Sequence, residues 1–148
     1  MSTHFHLLVY TVEATLSVGV ARLLGDYARW FNLKYDRRGH LFASRFASRH
    51  VTDDAQLLAT HRYIALNPVH GDLCSDPADW RWGSYRALAG LQRPPNFLDA
   101  DAVHELLGGA AAYRALTVPD PERGQAPEVR EASAKLRNVF ATRPTAAS

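Results

Sequence analysis
The stretch His4-Phe5-His6-Leu7-Leu8-Val9-Tyr10-Thr11-Val12 decides how the rest of the chain is read. It is rich in β-branched and aromatic residues, the composition of a β-strand. Side chains alternate faces along a strand, so His4 and His6 share one face, while Phe5, Leu7 and Val9 take the other and would be buried. Two strand residues separate the histidine Cβ atoms by about 7 Å. Imidazoles so placed can converge on one ion or one phosphate oxygen. A His-x-His pair alone is a weak motif, and its plainer reading is two polar residues on the exposed face of an edge strand.

Working outward, the 148 residues suit one domain with a real core, and the net charge of +2 permits an anionic partner without demanding one. The single cysteine, Cys74, can form no internal disulfide, so a reducing cytoplasm is expected. No apolar run reaches membrane-spanning length.

After the first strand, Thr15 or Ser17 is placed to cap a helix in which Val20, Leu23, Leu24, Tyr27, Trp30 and Phe31 recur as one apolar stripe. For Tyr27 and Trp30 the preferred role is core packing. Asp36 to Gly39 reads as a turn, and residues 41–51 as an extended segment or short strand. Between residues 22 and 49 the bases are Arg22, Arg29, Lys34, Arg37, Arg38, Arg45 and Arg49, against the acids Asp26 and Asp36. Aromatic residues are interleaved with them: Trp30, Phe31, Tyr35, Phe42 and Phe46. Cations that track a backbone, with ring faces on which bases stack, are what single-stranded nucleic acid binding uses. A solvated basic surface over an aromatic core fits the same residues equally well.

Thr52-Asp53-Asp54 opens a second helix, expected to end near Asn67 because Pro68 disfavours helical geometry in the residue before it. Its wheel sets Leu57, Leu58, His61, Ile64 and Ala65 on a core face and Gln56, Thr60, Tyr63 and Asn67 opposite. Tyr63 and Asn67 stand one above the other. A phenol that attacks and an amide that holds an ion would suit that placement, although a solvated polar pair explains it more simply. Trp80-Arg81-Trp82-Gly83-Ser84-Tyr85 is read as an aromatic packing cluster. Residues 99–116 read as helical, with Gly108-Gly109 placed to interrupt them, and residues 119–148 as a loose tail with a short helix over 128–140.

Four blocks together resemble the REP-associated tyrosine transposases, within the single-tyrosine HUH transposases of insertion sequences. They are His4-Phe5-His6-Leu7-Leu8; the segment from Tyr35 to Phe46 containing Arg38-Gly39-His40-Leu41-Phe42 and Arg45-Phe46; Tyr63-Ile64-Ala65-Leu66-Asn67-Pro68-Val69; and Trp80-Arg81-Trp82-Gly83-Ser84-Tyr85. Gly83 stands where the family has Ser, and Ser2-Thr3 where it commonly has Pro-Asn. The resemblance implies that His4, His6 and Asn67 bind Mg²⁺ or Mn²⁺. It implies that Tyr63 attacks a phosphate of single-stranded or hairpin DNA, giving a 5′-phosphotyrosine link and a free 3′-OH. It assigns DNA contact to Lys34, Arg37, Arg38, His40, Arg45 and Arg49. The implied activity is that of a bacterial, cytoplasmic DNA transposase working by strand transfer, in which a homodimer is one arrangement; the alternative is a catalytically inactive nucleic-acid-binding remnant.

The implied fold class is α+β: an antiparallel-sheet, ferredoxin-like HUH domain with helices packed on the sheet. Met1 falls where the family has a methionine just before its His-x-His, so the first β-α-β elements would be missing and the chain is read as an N-terminally truncated copy. The expected division is a transposase domain over residues 1–90, a helical extension over 91–118 and a flexible tail over 119–148.

Overall fold
The computed structural model describes residues 4–118. Among these residues every regular element is helical: α1 (Leu16–Lys34), α2 (Asp54–His70), a 3-10 turn (Pro77–Asp79), α3 (Tyr85–Leu88), α4 (Ala100–Leu107) and α5 (Ala110–Leu116). The described chain forms two compact units, one of Leu8–His50 and one joining residues 4–7 to residues 51–118. The expected tail, with its helix over 128–140, lies outside the described residues.

The α+β expectation is therefore overturned. Neither stretch read as a strand is one: residues 4–12 have no regular structure, and residues 41–44 are bends followed by irregular chain. β-propensity describes a side chain's fit to a pleated surface, but a strand's N–H and C=O groups need a neighbouring strand to bond. Among the described residues no such neighbour exists. A helix satisfies its backbone within itself, and helices are what formed.

The unit Leu8–His50 holds one helix. Thr15 takes the N-cap position of α1, although its hydroxyl makes no capping hydrogen bond. The apolar stripe is helical as expected, but no residue of α1 is buried. Leu24, Ala28 and Phe31 are half-buried, while Leu23, Tyr27 and Trp30 stay about half-exposed. A single helix has no second apolar face of its own to bury against. The chain returns through Asp36, whose φ is positive, and Asn32 Nδ2 donates to Gly39 O at 2.9 Å, tying that turn to the helix end.

In the other unit, α2 is capped by Asp53 rather than Thr52. Asp53 Oδ1 accepts from the Gln56 N–H at 2.7 Å, and Gln56 Oε1 accepts from the Thr52 N–H at 2.8 Å. This reciprocal pair satisfies two donors at the helix start. The helix passes Pro68 and ends at His70. Pro68 lacks the N–H that would bond the carbonyl four residues back, and only two helical residues follow it. The Gly71 N–H bonds Asn67 O at 3.0 Å and the Leu73 N–H bonds Pro68 O at 2.9 Å, so carbonyls of the last turn find donors beyond it.

The core of this unit is Ala65, Leu88, Ala89, Ala100 and Tyr113, with Tyr85, Leu98, Val103 and Leu107 packed around it. Burial raises the Tyr113 phenol well above its usual range, with Tyr85 adding to the effect. Gly108 and Gly109 break α4 from α5 as read, at φ of 83° and 103°, a region that side chains avoid. Side chains from other elements bond the last carbonyls of these short helices. His104 Nε2 donates to Leu88 O at 2.8 Å, Arg114 donates to Ala89 O, and the buried Arg62 donates to Leu116 O and to Val118 O, the latter at 3.1 Å. Elements of one to two turns are too short to persist alone, so these clamps and the core hold them in place.

The expected aromatic cluster is split. Tyr85 lies 5.9 Å from Tyr113 between ring centroids and joins the core, whereas Trp82 is 71% exposed with the Arg81 guanidinium 4.3 Å over its ring. Tyr113 is the largest fully buried side chain, and its truncation leaves the widest void. Tyr113→Ala is expected to destabilise this unit by about 3 kcal/mol or more, read as a lower midpoint in urea unfolding followed by circular dichroism.

Candidate functional site
Residues 4–6 lie beside α2 within one compact unit. The His6 ring meets the Tyr63 ring edge to face, with centroids 5.2 Å apart and planes at 75°. The His4 ring meets the His6 ring at 5.0 Å and 83°. Three of the four residues singled out for chemistry thus form a chain of contacts, although residues 4–12 are no strand. Such separations are those of ordinary edge-to-face pairs. Helical spacing places Asn67 one turn beyond Tyr63.

The Tyr63 face of α2 differs from the reading of its wheel. Tyr63 is half-buried and Asn67 is buried, while Leu57 and Leu58 on the expected core face are only half-buried. Arg62, on neither expected face, is buried because its guanidinium bonds the end of α5. The wheel identifies an apolar stripe but is silent on residues 4–6, which approach Tyr63 from far away in sequence. His61 packs edge to face on Tyr113 at 6.2 Å, the core-edge role expected of it, and burial lowers its pKa.

His6 also has a lowered pKa, chiefly from burial and next from the charge of His4. It is therefore biased toward the neutral imidazole, the form that offers a lone pair. Two imidazoles sharing one ion through nitrogens about 2.1 Å from it have ring centroids roughly 5 Å apart, and the observed separation of the His4 and His6 rings is compatible with that. Among the described residues no three of His, Cys, Asp and Glu converge; the donor set that the resemblance implies is two imidazoles with the Asn67 amide. That set fits Mn²⁺ or a later first-row ion better than Mg²⁺, which favours an all-oxygen shell.

The expected DNA-contacting residues lie in the unit Leu8–His50, and all six are exposed. The Lys34 ammonium stands 4.7 Å over Trp30 and 5.5 Å over Tyr35, and the Arg37 guanidinium 5.7 Å over Phe31. His40 and Arg45 line an open cleft of about 580 Å³, floored by Ala21, Gly25 and Ala28 of α1. Arg38 and Arg49 lie on irregular chain away from that cleft's lining. Of the two acids in this stretch, Asp26 is engaged by Arg29 at 3.4 Å and by Arg22 at 4.0 Å. The small residues under the cleft were missed in the sequence; their spacing along one face of α1 is the signal that marks them.

Among the described residues no helix is long and apolar enough to cross a membrane. No protein-family model, curated protein or solved structure matches the chain.

Because the folded state lowers the His6 pKa, the native form takes up its proton below the ordinary histidine value of 6.5. The unfolded chain then binds more protons within that interval, so the stability contributed by neutral His6 is present above pH 6.5 and is lost as pH falls through the folded value. His6 is expected to titrate below 6.5 by NMR, and His4→Ala to raise its midpoint without fully restoring 6.5. A His6 midpoint at or above 6.5 would contradict the packing described.

Proposed function
We propose that this chain is a metal-assisted tyrosine nucleophile acting on single-stranded or hairpin DNA, as the transposase resemblance implies, with DNA as its partner and the cytoplasm as its place of work. The observation that carries the reading is the contact of His6 with Tyr63 and of His4 with His6. A chance His-x-His would have no reason to lie beside the one tyrosine that the resemblance marks as nucleophilic.

Tyr63 Oη attacks phosphorus, a P–Oη bond forms, and the bond to the 3′ oxygen breaks. The phenolic proton passes to solvent or a neighbouring base, and the departing oxygen ends as a 3′-OH. The downstream strand is left on Tyr63 as a 5′-phosphotyrosine. A phenol is a weak nucleophile at neutral pH and needs a polarised target. His4 and His6, with Asn67, would hold the divalent ion, which when bound neutralises phosphate charge. The buried Asn67 and half-buried Tyr63 share one helix, so the attacking oxygen is positioned by α2 rather than by a loop. The exposed cations of Leu8–His50 supply salt-sensitive attraction to the strand.

A non-catalytic nucleic-acid-binding remnant is the second reading, favoured by the half-exposed Trp30 ring under Lys34 and the half-buried Phe31 ring under Arg37. Trapping separates the two. Purified chain is mixed with labelled single-stranded DNA carrying palindromes from the flanks of its gene, with Mn²⁺ or with EDTA, and run under denaturing conditions. A metal-dependent band resistant to denaturation is expected, and Tyr63→Phe is expected to abolish it. An adduct that survives that substitution would overturn the assignment, and salt-sensitive binding with no adduct would establish the remnant.

A further inference from the structure
We infer that residues 7–12 form a self-pairing segment, through which two copies of this chain associate as an intermolecular antiparallel β-sheet. Leu7-Leu8-Val9-Tyr10-Thr11-Val12 contains no charge, no glycine and no proline, and four of its six residues are β-branched or aromatic. No backbone hydrogen bond ties these residues to any other described residue. Five of the six side chains are exposed, Leu7 by 55%, Val9 by 51%, Tyr10 by 92% and Val12 by 89%, while Leu8 is half-buried. An uncharged, β-prone window of six residues with an open backbone is the sequence type that pairs with its own kind.

Symmetry selects the register. A two-fold axis perpendicular to an antiparallel pair keeps each side chain on its own face, and opposite residues share a face, so their numbers must sum to an even value. Centred on Val9, Val9 meets the partner's Val9, Leu7 meets the partner's Thr11, and Leu8 meets the partner's Tyr10. His6 meets the partner's Val12, and Glu13, the nearest acid, meets the partner's Phe5. No like charges oppose, and the aliphatic–aromatic pairs are of the kind that stabilises sheets. Centring on Tyr10 instead runs the ladder into the turn closed by the Thr15 N–H on Glu13 O at 2.7 Å. The Val9 register fits between His4 and that turn. A second copy is thus favoured over a charged partner, since residues 7–12 offer such a partner no complementary group. This pairing is independent of the tyrosine chemistry, because an adduct on Tyr63 requires no association.

The full chain is examined by sedimentation velocity over a wide concentration range, with infrared spectra of the same samples. The mass is expected to rise above monomer with concentration, together with an intermolecular sheet band. Val9→Lys alone and Val9→Glu alone each set like charges against themselves and should move association to roughly tenfold higher concentration or beyond. An equal mixture of the two should restore it. Val18→Lys, which adds the same charge at an exposed position of α1, should leave association unchanged and controls for net charge. A monomer at every concentration, association without a sheet band, unaltered association of Val9→Lys, or a mixture that stays apart would overturn the proposal.

Discussion
A backbone removed from water must pair, and only helices pair within themselves; that constraint shapes this chain. The most β-prone stretch, residues 4–12, meets no strand among the described residues and so takes no regular form. What can fold locally does so as helices, and the short ones persist because neighbours complete their unfinished ends. His104, Arg114 and Arg62 each bond carbonyls that a short helix leaves open. Around those clamps lies a small core of alanine, leucine and one large ring, Tyr113.

Local signals in the sequence located the helices well. The stripe from Val20 to Phe31 marks α1, Thr52-Asp53-Asp54 marks the start of α2 although Asp53 and not Thr52 is its cap, and Gly108-Gly109 marks the break before α5. The misreadings are the places where a distant part of the chain decides. The helix α2 runs past Pro68 to His70, and the Gly71 and Leu73 N–H groups close its end on the Asn67 and Pro68 carbonyls. Trp30 and Trp82 look like core residues by size alone, yet each stands under a cation in solvent. Arg62 looks like a surface cation, yet the end of α5 draws it inside. Strand propensity in residues 4–12 is real, but propensity without a partner does not make a sheet.

The candidate site was legible as residue types and only partly as geometry. The sequence marks His4, His6, Tyr63 and Asn67, and the fold brings His4, His6 and Tyr63 into a contiguous row. What periodicity could not show is that Asn67 is buried and Tyr63 half-buried, a consequence of packing rather than of the wheel. The basic and aromatic groups of Leu8–His50 were equally visible as types. The six cations are exposed, as are Trp30 and Tyr35, whereas Phe31, Phe42 and Phe46 are half-buried. His4, His6 and Tyr63 lie in one unit and these cations in the other.

The central claim is that the two histidines, Tyr63 and a divalent ion belong to one centre. Paramagnetic broadening by Mn²⁺ tests this without any DNA. The NMR signals of the His4, His6 and Tyr63 rings should broaden together at substoichiometric Mn²⁺, ahead of exposed carboxylates such as Asp26 and Asp54, and His6→Ala should remove the effect at Tyr63. Broadening that begins at the carboxylates and spares the Tyr63 ring would contradict the account.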